Sequence, residues 1–172
     1  IQVVNDQKEL DDNLKNHGKE FGIYTKDLSF NFTEIIQRSR GISDKITKNV
    51  EMLIKKNKID RIRGFGKLIS QNEIEILDKD GKKTDTINAD NIIIATGARP
   101  KTFPNIPVDR KNIITSTEAM NLTEQPKELI VIGAGAIGIE FAYFYSVLGT
   151  KVTIVEMLDH ILPVEDVEVS QA

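Results

Sequence analysis

The residues best suited to do chemistry in this sequence are three glycines in its C-terminal third. They stand in the run Gly133-Ala134-Gly135-Ala136-Ile137-Gly138, which has the spacing G-x-G-x-x-G. The spacing alone is weak evidence, because short glycine patterns arise by chance. Its chemistry would be phosphate binding. The first glycine permits a tight turn, the second keeps side chains away from a phosphate, and the third lets a helix approach a sheet closely.

The elements around these glycines make the pattern specific. A β-type run at residues 129–132 precedes them, and a helical apolar pattern follows, ended by Gly149 and Thr150. A second β-type run, Lys151–Val155, leads to Glu156, roughly 20 residues past the glycines. A carboxylate at that position can accept hydrogen bonds from ribose hydroxyls. The sequence therefore predicts a strand–turn–helix–strand unit that binds a dinucleotide, and the alternative of an unrelated glycine-rich turn fits this context less well.

Glu156 also indicates which dinucleotide is bound. Its carboxylate would repel a 2′-phosphate, and the following residues Met157, Leu158 and Asp159 offer no arginine to receive one. The sequence therefore favours NAD over NADP.

A second signal is the apolar run at residues 92–95, which ends abruptly at Thr96 and Gly97. An apolar run without alternation predicts a strand that is covered on both faces. An ordinary core strand would look the same. Three prolines follow at positions 100, 104 and 107, so we predict a domain boundary there.

The rest of the sequence predicts a mixed α/β fold. Asn31 and Glu34 have the spacing of a helix cap, and the isoleucines that follow recur with a helical period, although Gly41 inside this pattern disfavours an unbroken helix. A short helix is expected near Ser116. Further elements are predicted from periodicity and turn residues: a helix at 7–21, strands at 59–69, 73–77 and 82–87 that form an antiparallel meander, and a strand at 128–132.

Composition excludes several classes of function. The chain has 172 residues with 23 basic and 26 acidic side chains, a balance too even to indicate nucleic acid or a membrane surface as partner. It has no cysteine, which excludes disulfides, thiolate metal sites and a cysteine nucleophile within these residues. Residues 129–148 carry one charge, Glu140, but their glycines and β-type start favour a buried strand and helix over a membrane span.

The order of these features resembles one enzyme family. A meander, the run I-I-I-A-T-G-A-R-P, a proline-rich connection and then V-I-G-A-G-A-I-G-I-E-F-A are together similar to the flavin-dependent pyridine nucleotide–disulfide oxidoreductases. Within that family, K-K-N-K-I-D-R-I-R-G-F-G-K-L and V-T-I-V-E-M-L-D-H-I-L-P-V-E-D resemble the dihydrolipoyl dehydrogenase branch. The resemblance implies FAD/NAD(P)-binding Rossmann-like domains. Residues 1–100 would belong to the FAD domain, 101–127 to a connection and 128–172 to the NAD domain.

The resemblance also assigns site residues. Gly66, Thr96, Gly97 and Ala98 would line FAD. The residues that would hold NAD are Gly133, Ala134, Gly135, Ala136, Ile137, Gly138, Ile139, Glu140 and Glu156. Glu140 matches a family glutamate near the nicotinamide, although from the residues alone it is a carboxylate in an apolar helix, and a simple helix-start charge stays open.

Departures from the family pattern limit what this segment can do. A first flavin glycine motif, a C-x-x-x-x-C pair and the C-terminal dimerisation domain have no counterpart in these residues, and His17 and His160 are expected at the surface. We therefore expect an internal segment, incomplete at both ends and inactive alone, with no catalytic residue of its own.

The resemblance implies that the parent enzyme oxidises a protein-bound dihydrolipoyl group, passing electrons through a disulfide and FAD to NAD. A lipoyl-bearing protein of a 2-oxoacid dehydrogenase complex would be its partner, in a homodimer in the bacterial cytoplasm or the mitochondrial matrix. The alternatives are another family member, such as an NADH oxidase or a mercuric-reductase-like enzyme, and a non-catalytic NAD-binding module.

Overall fold

The computed structural model of the chain describes residues 29–171. These residues fall into two compact units, one made of residues 29–42 with 100–171 and the other of Ser43–Arg99. The helix predicted at residues 7–21 lies outside the described part of the chain. The domain boundaries predicted from the sequence stay a prediction, and we describe each unit by itself.

The longest element is α1, Phe32–Lys56, and it begins as the sequence predicts. The Asn31 carboxamide oxygen accepts a hydrogen bond from the backbone N–H of Glu34 at 3.3 Å, and its amide nitrogen donates to the Glu34 carboxylate at 3.2 Å. This satisfies one of the backbone donors that a helix start leaves without an intrahelical acceptor. Gly41 does not break the helix.

The unit Ser43–Arg99 is built on an antiparallel meander of strands β1 (Phe65–Leu68), β2 (Glu73–Leu77) and β3 (Lys83–Asn88), paired in the order β1-β2-β3. Asp78 forms the turn between β2 and β3, since one of its carboxylate oxygens accepts from the backbone N–H groups of Asp80 and Lys82, both at 2.9 Å. Gly81 follows at φ +78°, where a side chain would be strained. The predicted meander is confirmed, although its first strand is shorter than the predicted 59–69.

The strand predicted at residues 92–95 is wrong for this structure. No regular element forms between β3 and Pro100, and Ile93 and Ile94 are 90% and 72% exposed. An apolar run forms a strand only where neighbouring strands accept its hydrogen bonds and other elements cover its faces. Among residues 29–171 no strand pairs with it.

The other unit contains a parallel strand pair and the helix that joins it. Strand β4 (Glu128–Ile132) pairs with β5 (Lys151–Val155) from Glu128 opposite Lys151 to Ile132 opposite Val155, and α3 (Ala136–Val147) crosses between them. Parallel neighbours need such a crossover. Two short helices, α2 (Ser116–Ala119) and α4 (Val167–Gln171), complete the unit, and Thr115 caps α2 with Glu118 in a capping box.

The core of this unit forms around Tyr145 on α3, which is fully buried. Its ring meets Phe144 edge-on at 5.1 Å and Phe32 at 6.0 Å. Its hydroxyl donates to the backbone oxygen of Ala119 at 2.6 Å, so the one polar group of this side chain is satisfied. Burial raises the pKa of Tyr145 to about 12.

A small polar network joins the C-terminal end of α3 to the start of β4. The hydroxyl of buried Thr150 donates to the Pro126 oxygen at 2.7 Å. The Gln125 side-chain amide donates to the Leu148 oxygen at 2.7 Å and to the Thr150 hydroxyl at 3.2 Å. These bonds hold the helix end at a fixed position on the strand pair.

Within residues 29–171, no helix has the length and apolar character needed to cross a membrane. The apolar stretch 129–148 is divided instead between β4 and α3.

Candidate dinucleotide-binding site

The site begins where β4 ends, at residues 133–135, which we call the glycine turn. Gly133 has φ +105°, a conformation that side-chain-bearing residues rarely adopt. Its backbone N–H donates to the Val155 oxygen at 2.9 Å, so the turn begins beside the end of β5.

Gly138 allows α3 to lie against this turn. A Cβ atom at this position would overlap the carbonyl oxygen of Gly133 and lie 3.3 Å from a methyl group of Val131. The third glycine of the motif is therefore needed for packing between helix and strand, as the sequence predicts.

Gly135 is the N-cap of α3, and its surroundings differ from those of Gly138. No side chain caps this helix, and its first turn carries no acidic residue. A Cβ on Gly135 would find no atom within 4 Å, so the space in front of the helix is open. The first N–H groups of a helix have no intrahelical acceptor and lie at the positive end of its dipole. This helix start can therefore bind an anion such as a pyrophosphate.

Glu156, directly after β5, lies against the glycine turn. One carboxylate oxygen accepts a hydrogen bond from the Ala134 backbone N–H at 2.7 Å. The other accepts from the backbone N–H groups of Met157 at 2.7 Å and Leu158 at 3.0 Å. Bonds from Ala134, Leu158 and Met157, in that order of influence, lower the pKa of Glu156 below its usual value, so the carboxylate is charged at neutral pH.

The segment after Glu156 contacts the same turn in a way that sequence reasoning missed. The backbone N–H of Leu162 donates to the Ala134 oxygen at 2.8 Å, and Ala134 is fully buried. Leu162 has φ +52°, a left-handed conformation that leucine adopts only at a cost in free energy. A leucine between Ile161 and Pro163 gives no sequence signal of that conformation.

The other predicted NAD residues lie on the first two turns of α3. Ile137 and Glu140 are exposed, whereas Ile139 is half-buried. The structure thus brings Glu156 to the motif Gly133–Gly138, while Glu140 lies one turn further along the helix. The NAD assignments of these residues stay a prediction.

The predicted FAD residues belong to the unit Ser43–Arg99. Gly66 lies on β1 opposite Ile76, with the Ile74 side chain 3.4 Å from where its Cβ would be. Thr96, Gly97 and Ala98 follow one another in an exposed segment, with Gly97 at φ +73°. Their assignment to FAD likewise stays a prediction.

His160 is exposed, and its Nδ1 lies 2.5 Å from a carboxylate oxygen of Asp159. This contact lowers the pKa of Asp159. His17 lies outside the described residues.

The glycine turn, the uncapped helix and the acidic residue after the second strand define a dinucleotide-binding unit of Rossmann type. A family model of the pyridine nucleotide-disulphide oxidoreductases matches residues 3–172. The chain therefore belongs to that family, and the predicted fold class and family resemblance are confirmed.

Two of three similar curated relatives carry the name of the predicted branch. The chain is 43% identical over 159 residues to dihydrolipoyl dehydrogenase of Chlorobaculum parvum, covering 92% of this chain and 34% of that protein. It is 38% identical to dihydrolipoyl dehydrogenase of Bacillus subtilis, covering 88% of this chain and 34% of that protein. It is also 40% identical to leghemoglobin reductase of Vigna unguiculata, covering 90% of this chain and 28% of that protein.

A solved structure has a similar fold. The crystal structure of LpdA from Mycobacterium tuberculosis matches with a TM-score of 0.80 and 26% identity, covering 99% of this chain and 36% of that chain. The chain spans about a third of the length of the curated relatives it matches.

Proposed function

We propose that this chain supplies parts of the FAD and NAD sites of a dihydrolipoyl dehydrogenase, which oxidises a protein-bound dihydrolipoyl group and reduces NAD. The observation that carries the proposal is the uncapped N-terminus of α3. Gly135 is the N-cap of this helix, and the residue before it, Ala134, donates a hydrogen bond to Glu156. Relatives named dihydrolipoyl dehydrogenase, 38% to 43% identical over about nine-tenths of the chain, support the choice of reaction.

The residues at this helix fit a dinucleotide. The pyrophosphate would lie in the open space in front of Gly135 and accept hydrogen bonds from the first backbone N–H groups of α3. The adenosine ribose would lie beside Glu156. A 2′-phosphate at that point would face the charged carboxylate, so the site favours NAD over NADP.

The flavin site would be shared with parts of the enzyme beyond these residues. In this chain, Gly66 and residues 96–98 would line FAD through their backbone. Bound FAD would supply electron transfer between a dithiol and NAD. The chain itself has no cysteine, so its part is to bind and orient the two cofactors.

Three further features belong to the same proposal. The enzyme would act on the lipoyl-bearing protein of a 2-oxoacid dehydrogenase complex. It would work as a homodimer, in the bacterial cytoplasm or the mitochondrial matrix. The names of the relatives support the first of these, and the other two rest on the family resemblance alone.

The test is to assay the complete protein for NAD-dependent oxidation of dihydrolipoamide and to measure its Kd for NAD and NADP. We expect turnover with dihydrolipoamide and tighter binding of NAD. Turnover only with oxygen or mercuric ion as electron acceptor would favour another member of the family, and NAD binding without any turnover would favour a non-catalytic module.

Substitution of Gly135 by alanine links the activity to the observed site. Gly135 has φ −72° and free space around it, so alanine should fit the fold but place a methyl group in the path of the pyrophosphate. We expect the Kd for NAD to rise about tenfold or more, the equivalent of one charge-assisted hydrogen bond. Gly41→Ala is the matched control, because its methyl group would also meet no atom within 4 Å. Equal NAD affinity in both variants would exclude this helix start as the site.

A further inference from the structure

In this structure the Glu156 carboxylate binds backbone groups of the protein, in addition to its proposed contact with a ribose. Its two carboxylate oxygens accept three backbone hydrogen bonds, from Ala134 on one side and from Met157 and Leu158 on the other. The bond to Ala134 joins the end of β5 to the middle of the glycine turn. The carboxylate thus connects the two elements between which a dinucleotide would bind.

The backbone of Ala134 is held on both sides by the segment that follows β5. Its N–H donates to Glu156, and its oxygen accepts from Leu162 at 2.8 Å. Leu162 is itself held in its left-handed conformation, because its oxygen accepts from the Glu165 N–H at 3.0 Å and from the Ser170 hydroxyl at 3.3 Å. The N–H belongs to the Gly133–Ala134 peptide group and the oxygen to the Ala134–Gly135 peptide group, so each of these groups is fixed by one hydrogen bond. The next residue, Gly135, therefore presents the helix start in one orientation.

The carboxylate has room for one ribose contact in addition. Its two oxygens together offer about four acceptor positions, of which three are occupied by backbone donors. One ribose hydroxyl can therefore donate to Glu156 while the bond to Ala134 stays in place. Binding of the ribose and positioning of the turn are compatible.

We propose that Glu156 is a positioning residue for the pyrophosphate-binding turn, in addition to its contact with the ribose. It orients the backbone N–H groups at the start of α3 by holding the Gly133–Ala134 peptide group through the Ala134 N–H. A ligand that binds these N–H groups without contacting Glu156 should therefore still lose affinity when the Glu156 carboxylate is removed. This inference deepens the proposed function and rests on the same site.

Inorganic pyrophosphate is a probe that separates the two roles, because it has no ribose. The experiment measures its inhibition constant as a competitor of NADH in the complete protein, for the unmodified protein, Glu156→Gln and Glu168→Gln. Glutamine keeps the size of the side chain but has one acceptor oxygen and cannot receive bonds on both sides. Glu168 is exposed on α4, so its variant makes the same charge change away from the turn.

We expect Glu156→Gln to weaken pyrophosphate binding about fivefold, the equivalent of one net hydrogen bond, and Glu168→Gln to leave it unchanged. Hydrogen exchange without any nucleotide supplies a second measurement. Amides of a peptide that covers the glycine turn should exchange faster in Glu156→Gln, whereas peptides from the meander Phe65–Asn88 should not change.

The outcomes separate the two proposals. Weaker NADH binding in Glu156→Gln, with pyrophosphate affinity and exchange at the glycine turn both unchanged, would limit Glu156 to the ribose contact and overturn the positioning role. Failure of the unmodified protein to bind NADH would overturn the proposed function instead. In that case, unchanged exchange at the turn would still refute the role of Glu156, and faster exchange would support it.

Discussion

Two apolar segments of this molecule end in a glycine with positive φ, and their surroundings are opposite. Strand β4 leads to Gly133, whose N–H bonds to β5 and whose oxygen lies against Gly138 of α3. Residues 92–96 lead to Gly97, yet Ile93 and Ile94 are 90% and 72% exposed and no strand among residues 29–171 pairs with this segment. The comparison shows that a strand-like sequence forms a strand, and a site at the end of that strand, only where a neighbouring strand pairs with it. The predictions that follow test this contrast.

The largest effect is expected at Gly138. Substitution by valine would force a side chain into the Gly133 carbonyl oxygen, and backbone atoms cannot move aside without separating α3 from β4. We expect a loss of about 3 kcal/mol or more in the free energy of unfolding, as for severe overpacking. Urea unfolding of the complete protein checks it, with Gly41→Ala as the control, because a methyl group at this helical position would meet no atom within 4 Å. A urea unfolding curve like that of the unmodified protein would show that Gly138 is not in close contact with the Gly133 oxygen.

A smaller loss is expected from Tyr145→Phe. The substitution removes the hydroxyl that donates to the Ala119 oxygen and leaves that acceptor buried without its partner. We expect a loss of about 1–2 kcal/mol, because an unsatisfied buried acceptor costs more than the net value of a hydrogen bond. Urea unfolding of the unmodified protein and of Tyr145→Phe checks it. Equal unfolding curves for the two would contradict the buried bond.

The effect of Glu156→Gln on stability should depend on pH. Folding lowers the pKa of the Glu156 carboxyl in the unmodified protein. The charged carboxylate therefore stabilises the folded state above the unfolded pKa of 4.5, and this contribution disappears as the pH falls through the folded pKa. At pH 7 the unmodified protein should melt at a higher temperature than Glu156→Gln. The difference should shrink below pH 4.5. Asp109 and Glu118 also have lowered pKa values, but both variants share them, so their contributions cancel in the difference. A gap that stays constant down to pH 3 would argue against the three backbone bonds.

The smallest effect is expected at Ile94, which is 72% exposed. In the 172-residue polypeptide, Ile94→Ser should change the free energy of unfolding by less than about 0.5 kcal/mol, as is usual at the surface. The same substitution in the complete protein sharpens the comparison. A loss of about 2 kcal/mol or more there would show that other parts of the protein cover this segment.

These contrasts also show what could be predicted from the sequence. Strand β4, strand β5 and the glycine turn were predicted because turn residues, periodicity and the spacing to Glu156 all lie within one short stretch. The exposure of residues 93–95 could not be predicted. An apolar run indicates that a strand must be covered, but it does not indicate where the covering strands come from. The bond from Leu162 to Ala134 was missed for a different reason. It joins backbone atoms through a strained conformation that side-chain identities do not encode.

The strand registers also imply an order of assembly. Each strand of the meander pairs with the next one along the chain, so only short loops must close. The pairing of β4 with β5 must instead enclose the whole of α3 and both of its connections. Loop closure costs more entropy as loops lengthen, and non-local contacts slow folding. During synthesis, the meander would therefore form as soon as its last strand is made, whereas the phosphate-binding turn would exist only after β5 has been added behind it.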